Sequence, residues 1–236
     1  MFPLRDSIPS SRPPVVNVLL IAACTLVFFF ELSLGPGLER FLLERAFVPF
    51  RFFHPAMFEV GLAFNVQSAL LSMFLHGGWL HLIGNMWFLW VFGDNVEDAL
   101  GHLSYLLFFL GCGAVAALAQ ALVAPLSKVP MIGASGAIAG VLGAYLVWFP
   151  WARVRTLVFL VIFFTIMDLP APIFLLLWFI VQFFSGTLAI ASASAAAGGV
   201  AFFAHIGGFL AGALAAVFLR GTGVVRPYRR PYVSLE

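Results

Sequence analysis

The segment GASGAIAG at residues 133–140 places one serine, Ser135, between glycines at the start of a long apolar run. Small residues recur there every four positions, at Gly136, Gly140 and Ala144, a spacing that lets two helix backbones pack closely in a membrane. A serine in such a helix often only bonds the carbonyl one turn earlier. The polar residues of the other apolar runs therefore decide what this segment indicates.

The composition is that of a polytopic membrane protein in contact with a lipid bilayer. Of the 236 residues, 63% are hydrophobic and 9% charged, and the mean hydropathy is +1.07. A soluble domain is about half apolar and about a quarter charged. The net charge of +2 without a basic patch gives no reason to expect nucleic acid as a partner. Cys24 and Cys112 lie inside apolar runs, which favours packing roles over a disulfide framework, a metal site or a cofactor site.

Six apolar segments have the length that crosses a hydrocarbon core of roughly 30 Å. They are residues 15–34, 79–97, 102–123, 133–149, 171–188 and 201–219. The sequence therefore predicts an all-α membrane domain over residues 15–220. A short cytoplasmic segment, residues 1–14, precedes it, and a cytoplasmic tail, residues 221–236, follows it. The first span is too long for the core of a signal peptide, so we expect it to be retained.

A seventh apolar run, Val154–Met167, is nearly long enough to cross, and the distribution of charge argues against it. If the chain has six spans, eight basic residues lie on the cytoplasmic side: Arg5, Arg12, Arg153, Arg155, Arg220, Arg226, Arg229 and Arg230. Four lie on the outer side: Arg40, Arg45, Arg51 and Lys128. This excess agrees with the positive-inside rule. A seventh crossing would place His205 at the opposite face from Ser135. We therefore predict that residues 154–170 form a membrane-associated connector.

Two further connections have distinct compositions. The long connection of residues 35–78 mixes charged residues with Leu and Phe, which predicts short amphipathic helices lying in the membrane interface. The Ala-, Gly- and Ser-rich segment Ser185–Gly199 predicts a flexible outer loop.

Polar residues from three predicted spans converge at one depth. Ser135 lies near the start of the fourth span and His205 about one turn into the sixth. His81 and Asn85 lie one helical turn apart near the start of the second. All three spans descend from the outer face, so a rise of about 1.5 Å per residue places the four side chains in one layer.

These residue types suit nucleophilic catalysis. A serine hydroxyl needs a base to take its proton, and a neutral histidine within roughly 2.6–3.2 Å can do so. The carboxylates after the first loop all fall at the cytoplasmic ends of their spans, which favours a Ser135–His205 dyad over a triad. The side chains of Asn85 and His81 and the backbone N–H of Ser135 could stabilise an oxyanion.

Structural and transport roles are the alternatives from the residues alone. A lone serine or histidine in a membrane helix is often structural, and His81 and Asn85 could form only interhelical hydrogen bonds. A small-solute channel or carrier would use the same polar layer as a passage. It would be expected to have polar groups on both sides of the midplane, whereas the inner half here is almost entirely apolar.

Three motifs resemble those of the rhomboid intramembrane serine proteases: HGGWLHLIGN at 76–85, GASG at 133–136 and AHIGG at 204–208. Their order and spacing agree with that family. The resemblance implies a six-helix rhomboid-like bundle with a short central fourth span and a first loop partly embedded in the outer leaflet. It implies Ser135 as nucleophile, His205 as general base, and His81 and Asn85 as oxyanion donors beside the Ser135 backbone. It also implies single-span membrane proteins as substrates.

The sequence departs from the family pattern at two places. Gln67-Ser68 stands where many members have Trp-Arg in the first loop, and Ala139 stands where some have a tyrosine below the histidine. A proteolytically silent relative that acts as a membrane scaffold or quality-control factor is the alternative within the resemblance. We expect a prokaryotic cytoplasmic membrane as the location, with both termini cytoplasmic. The sequence does not indicate an oligomeric state.

Overall fold

The computed structural model describes residues 1–160, 163–191 and 202–225, and within these ranges the chain is mostly helical. The helices are α1 Val15–Ser33, α2 Leu38–Arg45, α3 Pro49–Phe53, α4 Leu62–Ser72, α5 Trp79–Leu100, α6 His102–Val123, α7 Ser135–Trp148, α8 Ala171–Ala191 and α9 Phe202–Arg220. The strands are β1 Phe2–Asp6, β2 Arg153–Leu160 and β3 Phe163–Pro170. Residues 192–199 of the predicted outer loop and 226–236 of the predicted tail lie outside the described residues.

A helix lies at each of the six segments predicted to cross the membrane. Within the described ranges, α1, α6 and α9 are long and apolar enough to do so by length and composition. α7 is apolar but shorter, as is the described apolar part of α8, so the count of six crossings stays a prediction. The prediction of a loop from residue 185 is wrong as far as Ala191, because α8 continues to that residue. Extending an existing helix fixes only one residue per added hydrogen bond, which favours continuation.

The first loop contains the short helices that its composition predicts. α2, α3 and α4 occupy it, together with two 3₁₀ turns at Gly35–Gly37 and Pro55–Phe58. The loop is joined to the segment before α7 by an antiparallel bridge in which the Met131 N–H donates to the Phe47 carbonyl at 2.8 Å. The first loop therefore packs beside the start of α7.

α7 lies at the centre of the helical bundle. Its residues from Gly136 to Tyr145 are all buried, and it packs against α5, α6, α8 and α9. A helix that is apolar on every face is expected in such a position. The first residue of α7 is Ser135, so this serine lies where the most enclosed helix meets the preceding loop.

Glycines allow α7 and α9 to touch through their backbones. A Cβ atom added to Gly208 would overlap the carbonyl oxygen of Gly136, and one added to Gly212 would overlap the carbonyl oxygen of Gly140. A Cβ at Gly143 would likewise overlap the backbone of Phe209. Gly136 and Gly140 are among the small residues whose four-residue spacing predicted close helix packing.

A small antiparallel sheet corrects the prediction of an all-α fold. Its order is β1-β2-β3, with Phe2 opposite Leu157 and Arg155 opposite Asp168. In its described residues, the connector at residues 154–170 thus forms the two antiparallel strands of a β-hairpin, and the N-terminal segment pairs with the first of them. Val, Phe, Thr and Ile dominate the hairpin, and these residues favour strands. Because residues 157–167 are almost all apolar, the alternation that would reveal a strand is hidden there.

The N-terminal segment is tied to α5 and α7 by polar contacts. Asp6 accepts hydrogen bonds from Asn95 Nδ2 at 2.9 Å and from the Tyr145 hydroxyl. The carboxylate of Glu97 accepts the N–H groups of Val16 and Asn17 at 2.9 and 2.7 Å. Since the first N–H groups of a helix have no partner within it, Glu97 caps α1 from α5.

Asp6 should make the stability of the protein depend on pH. Burial raises the pKa of Asp6 from 3.8 to about 8, and repulsion from Asp94 adds to this, whereas the Tyr145 hydrogen bond opposes it. The unfolded chain loses this proton near pH 4 and the folded chain near pH 8, so the free energy of unfolding should fall as pH rises through this window. Thermal unfolding at several pH values should show a weaker fall for Asp6→Asn.

The matched control is Asp98→Asn, which removes another carboxylate that binds the N-terminal segment, through Ser11. This variant should still show the fall in the free energy of unfolding that Asp6 causes as pH rises. An identical pH dependence in the wild-type protein and Asp6→Asn would contradict the assignment.

Candidate active site

Ser135 is held at the start of α7 by the loop that precedes it. The N–H of Gly133 donates to the Ser72 carbonyl at 2.9 Å, which ties this loop to the end of α4. Gly133 has a φ of +118°, a backbone conformation that side-chain-bearing residues rarely adopt. The backbone N–H of Ser135 is the first of α7 and therefore has no acceptor within that helix.

Ser135 and His205 form a direct hydrogen bond. Nε2 of His205 lies 2.6 Å from Oγ of Ser135. His205 is the fourth residue of α9 and is 5% exposed, and its ring packs against Trp178 with centroids 5.9 Å apart. The glycine contacts between α7 and α9 bring the two helices close enough for this bond, which has the length that proton transfer requires.

His81 and Asn85 face the residues just before Ser135. An added Cβ at Gly133 would lie 2.6 Å from His81 Nε2 and 3.5 Å from Asn85 Nδ2, so both nitrogens lie close to the same residue, two positions before the serine. Asn85 is 8% exposed, and its Nδ2 has no hydrogen-bond partner among the described residues. The Gly77 N–H donates to His81 Nδ1 at 3.4 Å, which leaves Nε2 as the protonated nitrogen.

His76 supports this arrangement from the loop before α5. Its ring lies 5.3 Å from that of His81, and its Nδ1 lies 3.1 Å from the Phe74 carbonyl. Its backbone N–H donates to the carboxylate of Glu31, a buried residue of α1, at 3.0 and 3.2 Å. Burial, with a contribution from His81, lowers the pKa of His76 to about 4, so it is neutral near pH 7.

A cavity of about 660 Å³ opens at these side chains. Its lining includes Ser135, His205, His81, Asn85, Gln120 and Trp178. The rest is mostly apolar and comes from the first loop, α5, the segment before α7 and α7 itself. Among the described residues, no three His, Cys, Asp or Glu side chains are grouped to bind a metal ion.

The sequence predicts all four polar side chains in one layer, and the structure brings them to this cavity. No sequence pattern identified Glu31, Gln120 or Trp178 as parts of the site. Glu31 and Gln120 are polar residues near the ends of apolar helices, which is a weak signal, and Trp178 is one of many aromatic residues.

Comparison with known proteins gives the family. A model of the Rhomboid domain matches residues 63–222, which is more than half of the chain. The chain belongs to the rhomboid family. It is 36% identical over 134 residues to "Putative rhomboid protease YdcA" of Bacillus subtilis (strain 168), which covers 56% of this chain and 61% of that protein.

Rhomboid relatives from organelles also match. "Rhomboid-like protein 11, chloroplastic" of Arabidopsis thaliana is 41% identical over 69 residues, which is 29% of this chain and 24% of that protein. "Rhomboid protein 1, mitochondrial" of Saccharomyces cerevisiae is 32% identical over 96 residues, or 39% of this chain and 28% of that protein. The matches thus span less than two thirds of the length of each relative.

The sequence departs from the rhomboid pattern in the first loop and below the histidine, and the structure shows which residues make contacts in these two regions. In the first loop, the guanidinium of Arg51 donates to the carbonyls of Leu43 at 2.8 Å and of Ala46, and lies 4.8 Å from the centre of the Phe64 ring. Arg51 therefore holds α2, α3 and α4 together. Ala139 is fully buried, and the aromatic rings beside His205 include Trp178 of α8 and Phe202 of α9, with centroids at 5.9 and 6.4 Å.

A side chain added at Gly133 should lower the free energy of unfolding. In Gly133→Ala, the methyl group would lie 2.6 Å from His81 Nε2 and the backbone would keep an unfavourable φ. We expect a loss of about 1–3 kcal/mol in the free energy of unfolding, measured by denaturation in detergent. Gly61→Ala is the control, because an added Cβ meets nothing within 4 Å there and φ is −92°. Equal stability of both variants would contradict this account.

Proposed function

We propose that this rhomboid protein is an intramembrane serine endopeptidase that cleaves single-span membrane proteins in or near the spanning segment. The observation that carries the proposal is the 2.6 Å separation of Ser135 Oγ and His205 Nε2 inside a helical bundle. A buried pair of this kind has little structural purpose that two apolar side chains would not serve at lower cost. Membership of a family whose members are typically intramembrane serine proteases supports the same conclusion.

In the first half of the reaction, His205 Nε2 takes the proton of the Ser135 hydroxyl as Oγ attacks the scissile carbonyl carbon. The carbonyl oxygen becomes an oxyanion that accepts hydrogen bonds from Asn85 Nδ2, His81 Nε2–H and the Ser135 backbone N–H. The C–N bond then breaks, and His205 returns the proton to the leaving amine. The substrate acyl group remains as an ester on Ser135.

In the second half, a water molecule hydrolyses the ester. His205 takes a proton from the water as its oxygen attacks the ester carbonyl, and the same three donors stabilise the second oxyanion. The C–O bond to Ser135 breaks and the hydroxyl recovers its proton from His205. The cavity provides the polar space that water needs, which hydrocarbon would exclude.

The substrate must expose a carbonyl that is hidden in its own helix. Local unwinding near the outer face is therefore required, and Gly- or Pro-containing segments should be preferred. We place the protein in a prokaryotic cytoplasmic membrane with six crossings and both termini cytoplasmic. The bacterial relative supports this location, since it aligns over 134 residues and the two organellar relatives over 69 and 96.

Cleavage of a model single-span substrate in proteoliposomes tests the proposal. Ser135→Ala and His205→Ala should abolish cleavage, because each removes one member of the proton-transferring pair. Asn85→Ala should slow it by about 10²–10³-fold, the usual effect of losing one oxyanion donor. Ser104→Ala and His54→Ala are matched controls that remove the same groups elsewhere, and both should cleave normally.

Two results would overturn this proposal. Undiminished cleavage by folded Ser135→Ala would reject the nucleophile. Binding of the substrate by the wild-type protein without any cleavage would instead indicate a silent, scaffold-like relative.

A further inference from the structure

One face of α6 packs into the seam between α7 and α9. Cys112, Ala116 and Gln120 repeat there every four residues. An added Cβ at Gly136 would lie 2.6 Å from the Ala116 Cβ, and one at Gly208 would lie 3.4 Å from it. Gln120 lies one turn further along this face, level with the first turn of α9.

Gln120 has a carboxamide at a position where the other residues of this face are small. The carboxamide oxygen accepts two hydrogen bonds. Oε1 accepts the backbone N–H of Phe203 at 3.1 Å and that of Ala204 at 3.3 Å. Both groups belong to the first turn of α9, whose N–H groups have no acceptor within the helix. The next residue along the chain is His205.

We propose that Gln120 is a positioning residue, which holds the first turn of α9 so that His205 stays within hydrogen-bonding distance of Ser135. This inference rests on the proposed function for its effect on catalysis. Its structural part, the capping of α9 from α6, is independent of any activity.

The position of His205 makes this capping important. Terminal turns open locally more readily than the middle of a helix, and the imidazole lies in such a turn. The tightest glycine contacts of α9, at Gly207, Gly208 and Gly212, lie beyond His205, whereas an added Cβ at Gly136 would lie 3.7 Å from the Ala204 carbonyl oxygen. A displacement of about 1 Å between reacting groups can cost about 10²-fold in rate. Gln120, as the acceptor for the N–H groups of residues 203 and 204, keeps this turn closed.

Two substitutions distinguish the effect of the hydrogen-bond acceptor of Gln120 from the effect of the length of its side chain. Gln120→Met keeps the length of the side chain and removes the acceptor. Gln120→Glu keeps an acceptor, loses the amide donor and places negative charge at a helix N-terminus, where it is favourable. Gln67→Met, at an exposed position of α4, is the matched control.

The full-length variants are compared by kcat and KM for the model substrate and by hydrogen exchange of the peptide that contains residues 203 and 204. Gln120→Met should lower kcat by about tenfold, the usual value of one or two hydrogen bonds, with little change in KM, and should speed exchange at these two amides. Gln120→Glu should stay within about threefold of the wild-type protein in both measurements. Gln67→Met should match the wild-type protein.

Equal loss of kcat in Gln120→Met and Gln120→Glu, or unchanged exchange in Gln120→Met, would overturn the positioning role. Failure of the proposed function is distinguishable from this, because the wild-type protein would then cleave nothing while the difference in hydrogen exchange would persist.

Discussion

The contact between the backbones of α7 and α9 is the constraint on which the rest of this structure depends. Four glycines, Gly136, Gly140, Gly208 and Gly212, leave no side chain between the two helices. Lipid tails are as apolar as the side chains of a membrane helix, so moving such side chains from lipid into a helix contact gains little. Helix association in a membrane therefore relies on close packing. Here close packing has a second consequence, because it brings one hydroxyl and one imidazole within 2.6 Å.

Two polar side chains of α5, His81 and Asn85, direct nitrogen atoms to the segment just before Ser135. His81 receives a hydrogen bond on one ring nitrogen and places the other beside Gly133. Asn85 places beside the same glycine an amide nitrogen that has no partner among the described residues. An unpaired buried donor costs free energy in the resting protein. Under the proposed reaction, the developing oxyanion supplies the missing acceptor.

The sequence predicted the helices and the four side chains of the candidate site because both follow from the length of apolar runs and from where polar residues lie along them. Apolar runs of span length gave the positions of the helices, and a common depth grouped Ser135, His205, His81 and Asn85. The hairpin was missed because its apolar run has no visible alternation, which makes a strand and a membrane segment look alike. Gln120, Glu31 and Trp178 act through contacts between distant parts of the chain, which no local pattern encodes.

The most direct test of the central claim varies the space between α7 and α9 and follows the reactivity of Ser135. Gly212→Ala and Gly212→Val would push against the Gly140 backbone, whereas Gly111→Ala and Gly111→Val point into open space on α6. The rate of Ser135 phosphonylation by a fluorophosphonate, followed by intact mass, should fall from Gly to Ala to Val at position 212, by about 10²-fold for Val if the pair moves apart by about 1 Å. It should be unchanged at position 111. Equal rates in both series would contradict the claim that glycine contacts bring Ser135 and His205 together.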